Sequence, residues 1–350
     1  MAKWDISNID ENFEAHKATI TVIGVGGGGC NTISTIAEMG IKGASTAAVN
    51  TDARHLVSIK ADKKVLIGKN LTRGLGAGGY PDTGKNAALE SREELRNLVA
   101  GCDLVFLTCG LGGGTGTGAL PVLAGLAKQQ GAITIAVVTL PFRLEGTRVG
   151  KAEEGLVALR QNCDTVIAIE NERLLKVGGN LPVKKSFDLA NNLIAMMIKG
   201  ITETISEPSL VNLDYADVKA VMRAGGVASI GVGSSDSERR AEDAVKIALN
   251  HPLLDVEYAG AKGALIQVIG GEDMKLDEID LIGSRIQAVL DPDAQVVWGA
   301  RISPDFNGKI QVITIITGVQ SPYILGMASK EELGKVKTGE SKELGIKVIR

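Results

Sequence analysis

Three glycine-rich segments in the first third of the chain have the composition of loops that hold phosphate. They are GVGGGGC at 24–30, LGAGG at 75–79 and GGGTGTG at 112–118. Consecutive glycines let backbone amides point into one concavity, and a helix that starts after them adds its positive N-terminal end. Thr115 and Thr117 add hydroxyl donors. The segments predict a cradle for a di- or triphosphate, although close strand–helix packing would also favour glycine at any single one.

Two other nucleotide motifs are partly matched. Gly24, Gly26 and Gly29 have the spacing of a dinucleotide-binding loop, with Asp52 near the place of a ribose-binding acid, which is consistent with a nicotinamide-dependent oxidoreductase. Such an enzyme needs one glycine loop, and this chain has three. The run 79–86 resembles a P-loop, but Asn86 replaces the Ser or Thr that binds magnesium and no apolar strand precedes it. We reject the P-loop.

A pair of acids three positions apart, Asp214 and Asp217, lies in NLDYADVKAVM at a predicted loop-to-helix junction. Both carboxylates can face one direction there, as the orientation of a water molecule would require. The same D-x-x-D spacing also caps helices, and the spacing alone favours the cap.

Composition excludes several classes of protein. The chain has 350 residues, 44% of them hydrophobic and 23% charged, and a net charge of −3, which predicts two soluble domains without a basic field for nucleic acid. Its four cysteines form no C-x-x-C pair and its three histidines are far apart, so neither a disulfide framework nor structural zinc is expected. The polar start and the lack of a long apolar run predict a cytosolic protein without direct membrane insertion.

The elements that must position these residues alternate between strands and helices. This alternation predicts a parallel sheet covered on both faces, with ligands at the carboxyl ends of its strands. A long amphipathic helix at 185–207 and a second α+β region follow. The predicted strands of the first half are 19–24, 47–50, 103–108, 132–140 and 165–170, and its predicted helices are 31–39, 91–100, 119–130 and 151–162.

GGGTGTG resembles the signature of the tubulin/FtsZ superfamily, and other segments resemble FtsZ in the same order from about Ile20 to Val319. An archaeal-looking member of the FtsZ family of cell-division GTPases is therefore expected. The segments include VIGVGGGGCNTI, AVNTDARHL, LTRGLGAGGYPDTGKNAALE, TCGLGGGTGTGALPVLA, VVTLPFRLEG, LVNLDYADVKAVM, GGVASIGVG, ALNHPLLD and DPDAQVVWGARI.

This resemblance implies a Rossmann-like α/β GTPase domain with a parallel sheet, a long central helix and a second α+β domain. The implied divisions are an N-terminal extension at 1–18, a GTP-binding domain at 19–184, the central helix at 185–208, a catalytic loop with its following helix at 209–222, a C-terminal domain at 223–322 and a tail at 323–350.

The resemblance also implies which residues bind GTP or GDP. The nucleotide loops would contribute Gly26, Gly27, Gly28, Asn31, Asn50, Thr51, Asp52, Ala77, Gly78, Gly79, Gly112, Gly113, Gly114, Thr115, Gly116, Thr117 and Gly118. The ribose side would contribute Pro141, Phe142 and Glu145, the loop after it Asn171, and the phosphate side Arg148. The base side would contribute Phe187, Asn191 and Asn192.

Two positions depart from the family pattern. Asn192 stands where FtsZ commonly has Asp; an Asn side chain can also read guanine, since its oxygen accepts and its amide donates. Arg148, the phosphate-side arginine, lies in a segment one residue shorter than usual, which leaves its placement open. For Phe187, core packing is the alternative to stacking on the base.

For the acids, the resemblance reverses the preference for a simple cap. Asn212, Asp214 and Asp217 are implied to act on the nucleotide of the next subunit, so that hydrolysis depends on head-to-tail filaments of the division ring. Such heterologous contacts give open polymers. Mg²⁺ is expected beside the phosphates, with no side-chain ligand named. A filament scaffold without turnover and a cell-shaping paralogue are the remaining alternatives.

The tail ends in the apolar side chains Leu344, Ile346, Val348 and Ile349 after a polar tether. By its position this peptide resembles the FtsZ segment that binds membrane-anchoring or regulatory proteins at mid-cell. The alternative is that it folds back on its own domain.

Overall fold

A six-stranded parallel sheet in the order β3-β2-β1-β4-β5-β6 forms the centre of the first half of the chain. The computed structural model describes residues 18–178, 180–207, 209–211, 213–223, 228–250 and 257–319. The strands are β1 (Ile20–Val25), β2 (Ala44–Asn50), β3 (Lys63–Leu66), β4 (Leu104–Gly110), β5 (Ile133–Leu140) and β6 (Thr165–Glu170).

Helices cover both faces of this sheet, which is why β1 is buried along its whole length and β4 along nearly all of it. A 3₁₀ turn at Arg143–Glu145 follows β5. The helices are α1 (Gly26–Met39), α2 (Ala53–Ser58), α3 (Lys69–Thr72), α4 (Pro81–Glu90), α5 (Arg92–Leu98), α6 (Thr115–Gln129), α7 (Thr147–Asn162), α8 (Asn171–Gly178), the central helix α9 (Val183–Ser206) and α10 (Tyr215–Arg223).

The second region contains a four-stranded mixed sheet in the order β7-β10-β8-β9. Strand β10 is antiparallel to β7 and β8, and β8 is parallel to the edge strand β9. A 3₁₀ turn lies at Pro304–Phe306. The elements are β7 (Ala228–Ser235), α11 (Arg240–Leu249), β8 (Gly263–Gly270), α12 (Leu276–Gln287), β9 (Gln295–Ile302) and β10 (Ile310–Thr317).

The central helix α9 joins the two sheets through one apolar cluster. Its side chains Ile194, Met197 and Ile198 are buried together with Phe106 of the first sheet and Ile313 of the second. The predicted fold class, a parallel-sheet domain, a long helix and a second α+β domain, is confirmed.

Several element boundaries differ from the prediction. Helix α1 begins at Gly26 instead of residue 31, and α6 begins at Thr115 instead of residue 119. The sequence prediction left these glycines outside both helices because glycine has a low helix propensity. Close packing requires glycine in these first turns, because a Cβ at Gly29 would lie 2.2 Å from the Thr108 carbonyl oxygen.

Candidate nucleotide pocket

The carboxyl ends of β1, β4 and β5 open into a pocket of about 480 Å³. It lies where open α/β sheets usually bind ligands. Many residues predicted to bind nucleotide line it: Gly26, Gly27, Gly28, Asn31, Gly113, Gly114, Thr115, Gly116, Pro141, Glu145, Arg148, Asn171, Phe187 and Asn191.

Helix α1 starts at this pocket without a side-chain cap and without an acid in its first turn. Gly26 adopts φ +72°, and a Cβ there would lie 2.9 Å from the Gly116 amide nitrogen. At Gly27 an added Cβ would meet no atom within 4 Å. The first-turn amides are therefore available to an anion, and the helix dipole favours negative charge there.

Helix α6 also starts at the pocket, again without a side-chain cap or an acid in its first turn. The Thr115 hydroxyl forms a hydrogen bond of 2.7 Å with the Thr51 hydroxyl. Thr51 itself does not line the pocket. Gly113 leaves open space, since the nearest atom to an added Cβ would be 3.9 Å away. Two helix N-termini consequently meet at one pocket, an arrangement suited to phosphate.

Gly112, Thr117 and Gly118 of the same segment do not line the pocket. The Gly112 amide donates to the Thr117 hydroxyl over 2.9 Å, so Thr117 shapes the loop from behind and does not offer the pocket donor that the sequence suggested. A Cβ at Gly118 would lie 1.9 Å from the Pro81 carbonyl oxygen. Gly118 therefore allows α4 and α6 to pack closely, so packing and not phosphate binding accounts for this glycine.

The loop of Ala77, Gly78 and Gly79 lies against the signature segment, outside the pocket lining. A Cβ at Gly114 would be 2.9 Å from the Ala77 Cβ. The Lys151 ammonium donates to the Gly79 carbonyl over 2.8 Å. This loop therefore borders the pocket at Gly114 without lining it.

Asn50 and Asp52 also lie outside the lining, and both have local structural partners. The Asn50 Oδ1 accepts from the Thr51 amide over 2.9 Å, and Asp52 caps α2 by accepting from the His55 amide over 3.0 Å. The His55 ring bridges Asn50 and Asn31, with ring nitrogens 3.1 and 3.0 Å from their side chains. Sequence reasoning missed His55, because nothing in its spacing ties it to Asn31.

On the far side of the pocket, the Phe187 ring is 42% exposed and meets Phe142 edge to face, with centroids 5.9 Å apart. Asn191 accepts from the Thr32 hydroxyl over 3.1 Å. Asn192 is exposed on α9 and does not line the pocket, so Asn191 is the asparagine placed there.

The Arg148 guanidinium lines the pocket and donates to the Glu145 carboxylate over 2.7 Å. Glu145 also accepts from the Phe142 amide over 2.9 Å. This pair holds the arginine at the rim in a charge-balanced state. An entering phosphate would compete with Glu145 for it.

Other lining residues were not predicted. Thr108, Cys109 and Gly110 end β4 and Thr139 lies near the end of β5, so the strand-end rule could have found them. Burial raises the pKa of the Cys109 thiol far above its ordinary range, which leaves it neutral. The remaining additions are Val25, Thr32, Leu111 and Ala190.

The acids Asp214 and Asp217 do not line the pocket of their own chain. The Asp214 Oδ1 accepts from the Asp217 amide over 2.7 Å at the start of α10, so the helix cap is present. Asn212 and the tail peptide fall outside the described residues.

Within the described ranges, no group of three or more His, Cys, Asp or Glu side chains could hold a metal ion. In the same part of the chain, no helix combines the length and apolar character needed to cross a membrane.

Both halves of the chain match models of known protein families. The model of the Tubulin/FtsZ family GTPase domain matches residues 19–179, and that of the FtsZ family C-terminal domain matches 226–320. Cell division protein FtsZ 2 of Methanocaldococcus jannaschii is 54% identical over 91% of this chain and 84% of its own length. FtsZ 1 of Thermococcus kodakarensis is 52% identical over 93% and 88%. A solved structure described as an empty FtsZ dimer of M. jannaschii has a TM-score of 0.83 at 48% identity, covering 90% of this chain and 96% of that one.

Proposed function

Because this chain belongs to the FtsZ family of cell-division proteins, with a tubulin-type GTPase domain, we propose that it binds and hydrolyses GTP and assembles head to tail into filaments of a division ring. The resemblance seen in the sequence is confirmed by these family matches. The relevant site is the pocket at the starts of α1 and α6.

The observation that carries the proposal is the meeting of two uncapped helix N-termini at that pocket, with open space at Gly27 and Gly113. A triphosphate supplies the negative charge that both helix ends favour. Phe187 offers a half-exposed ring for the base at the opposite side.

Mg²⁺ would fit beside these phosphates, because it keeps several waters and needs few protein ligands when phosphate oxygens coordinate it. Glu145 is an acidic side chain of the lining, and it is already paired with Arg148. The ion would neutralise charge on the phosphates. The chain itself would supply the helix N-termini and the rim arginine.

For hydrolysis, we infer that Asp214 and Asp217, with Asn212, orient water at the nucleotide of the neighbouring subunit. Asp214 is exposed and lies outside its own chain's pocket, which supports a role in trans. Its cap hydrogen bond is compatible with this role, since a carboxylate can accept several hydrogen bonds. The related M. jannaschii protein, described as a dimer, supports self-association.

The oxidoreductase alternative is not supported by this geometry. Asp52, the candidate ribose-binding acid, caps α2 instead of lining the pocket. A scaffold that assembles without turnover is the second candidate, and the presence of both aspartates favours turnover over it.

The test measures GTP hydrolysis and sedimentation across a hundredfold range of protein concentration. Specific activity should rise steeply at the concentration where polymer first sediments with GTP. Asp214→Ala should keep the GTP affinity of the monomer, lose nearly all hydrolysis and give long-lived polymer. Loss of the cap should cost about 1 kcal/mol of stability.

Flat specific activity without polymer would contradict a shared site. Normal hydrolysis by Asp214→Ala would return the aspartate to the role of helix cap alone. Assembly of the wild type with no phosphate release would favour the scaffold.

We also propose that the terminal peptide binds a membrane-anchoring or division-regulating protein at mid-cell. Deleting residues 343–350 should leave GTPase activity and assembly nearly unchanged while abolishing recruitment to vesicles that carry the anchoring partner. Loss of folding or assembly would show that the peptide belongs to the globular domain.

A further inference from the structure

Two residues between α9 and α10, Val211 and Leu213, contact the edge strand β9. Val211 and Ala300 exchange two backbone hydrogen bonds of 3.1 Å each. Leu213 is 2% exposed and packs over Gly299, where an added Cβ would lie 2.9 Å from the Leu213 Cγ. Asp214 is the next residue in the chain. The contacts of its neighbours with β9 therefore restrict where Asp214 can lie.

The next residue of β9, Arg301, links this strand to the central helix. Its guanidinium donates to the Glu203 carboxylate over 3.1 Å. Glu203 lies in the last turn of α9, and its side chain is only 8% exposed. A carboxylate this deeply buried requires charged partners, so its geometry is constrained.

The second partner of Glu203 reaches the GTPase domain. The Lys199 ammonium lies 3.5 Å from the Glu203 Oε1 and donates to the carbonyls of Met39 and Gly40 over 3.0 and 2.6 Å. These carbonyls lie at the C-terminal end of α1, where a cation is favoured. The opposite end of the same helix forms the wall of the pocket.

A continuous set of contacts thus runs from the pocket along α1, through Lys199 and Glu203, to Arg301 and the strand that holds the loop before Asp214. We propose that Glu203, with Lys199 and Arg301, positions the Asp214 loop relative to the GTPase domain of its own subunit. By the Asp214 loop we mean Val211, Leu213 and Asp214. This inference rests on the proposed role of that loop in hydrolysis. None of the three side chains lines the pocket, so they act on turnover through the loop and not on GTP binding.

The test compares Arg301→Gln, Glu203→Gln and the double variant with the wild type. Turnover is normalised to sedimented polymer, and GTP affinity is measured on the monomer. Each single variant should lose at least about tenfold in turnover per assembled subunit while GTP affinity changes less than about twofold. The double variant should be no worse than Glu203→Gln alone, because that substitution already removes the charge that Arg301 pairs with. Arg301→Lys should be intermediate.

Lys60→Gln is the matched control. It also removes one cation from an ion pair with a residue of α1, Glu38. Both side chains of this pair are exposed, and the Lys60 Nζ lies 2.9 Å from the Glu38 Oε1. Turnover and affinity should stay at wild-type values. If the Gln variants fail to fold, Glu203→Asp and Arg301→Lys are measured instead. Both keep the charges and shorten the reach, and both should show reduced turnover at unchanged affinity.

Wild-type turnover in these variants would overturn the inference, as would an equal loss of affinity and turnover or multiplied losses in the double variant. Asp214→Asn in the same assay separates the two proposals. If it abolishes turnover while Glu203→Gln does not, the positioning role alone is refuted. If Asp214→Asn retains turnover, the hydrolytic role of the loop is refuted, and the positioning role that rests on it is refuted with it.

Discussion

Replacing Gly27 by Ala should change stability and nucleotide affinity in opposite directions. Gly27 is the second residue of α1, and a Cβ there has no neighbour within 4 Å. Alanine is favoured over glycine in a helix by roughly 0.5–1 kcal/mol. The nucleotide-free protein should therefore gain up to that amount, which corresponds to a rise in Tm of roughly 1–4 °C.

The same methyl group would project into the space that we assign to phosphate. Losing one hydrogen bond to a charged group costs roughly 1.5–3 kcal/mol. That loss corresponds to GTP affinity about 10- to 150-fold weaker. Thermal unfolding without nucleotide and equilibrium GTP binding measure the two effects separately.

Gly118→Ala is the control, because its Cβ would clash with the Pro81 carbonyl oxygen at 1.9 Å. It should lower stability by roughly 1–3 kcal/mol through overpacking of the α4–α6 contact. Wild-type GTP affinity in Gly27→Ala would refute the placement of phosphate at the start of α1.

Two further predictions concern the base side and the buried thiols. Phe187→Ala should weaken GTP binding about threefold to tenfold with little change in stability, since its ring is half exposed. Phe187→Tyr should bind GTP normally. Equal affinity in the wild type and both variants would assign the ring to packing alone. Burial raises the pKa of Cys30 and of Cys163 to about 12, so the folded state retains protons that unfolded thiols release above their ordinary pKa of 9.0. The free energy of unfolding should therefore fall between pH 9 and 12, by roughly 1.4 kcal/mol per thiol per pH unit. Urea unfolding at pH 8 and at pH 10 measures this loss. Cys163→Ala should reduce that loss, and an undiminished loss would contradict the assignment.

The alternation of apolar strands and helices was enough to predict the fold class, because both faces of a parallel sheet must be covered and its strands then read as continuous apolar runs. Helix starts were less predictable. The start of α1 at Gly26 depends on how closely its first turn approaches β4, and propensity carries no information about that distance.

At the site, sequence predicted which loops would meet but not which side of each loop faces the pocket. Thr115 lines it, whereas Thr117, two residues later, supports the Gly112 amide from behind. Likewise Asn191 faces the pocket and Asn192 faces away, since adjacent residues on a helix point in different directions. Such a choice depends on helix rotation, which tertiary packing sets.

The glycines show how structure separates the two meanings of one motif. A methyl group at Gly29, Gly84 or Gly118 would collide with a backbone carbonyl at 2.2 Å or less, so packing alone accounts for glycine there. At Gly27 and Gly113 the protein leaves room for a side chain, and folding supplies no reason for glycine. Both line the pocket: Gly27 lies in the first turn of α1, and Gly113 directly precedes the N-cap residue of α6. We propose that a ligand touching the backbone amides accounts for these two positions, and the negative charge favoured by two helix ends points to phosphate.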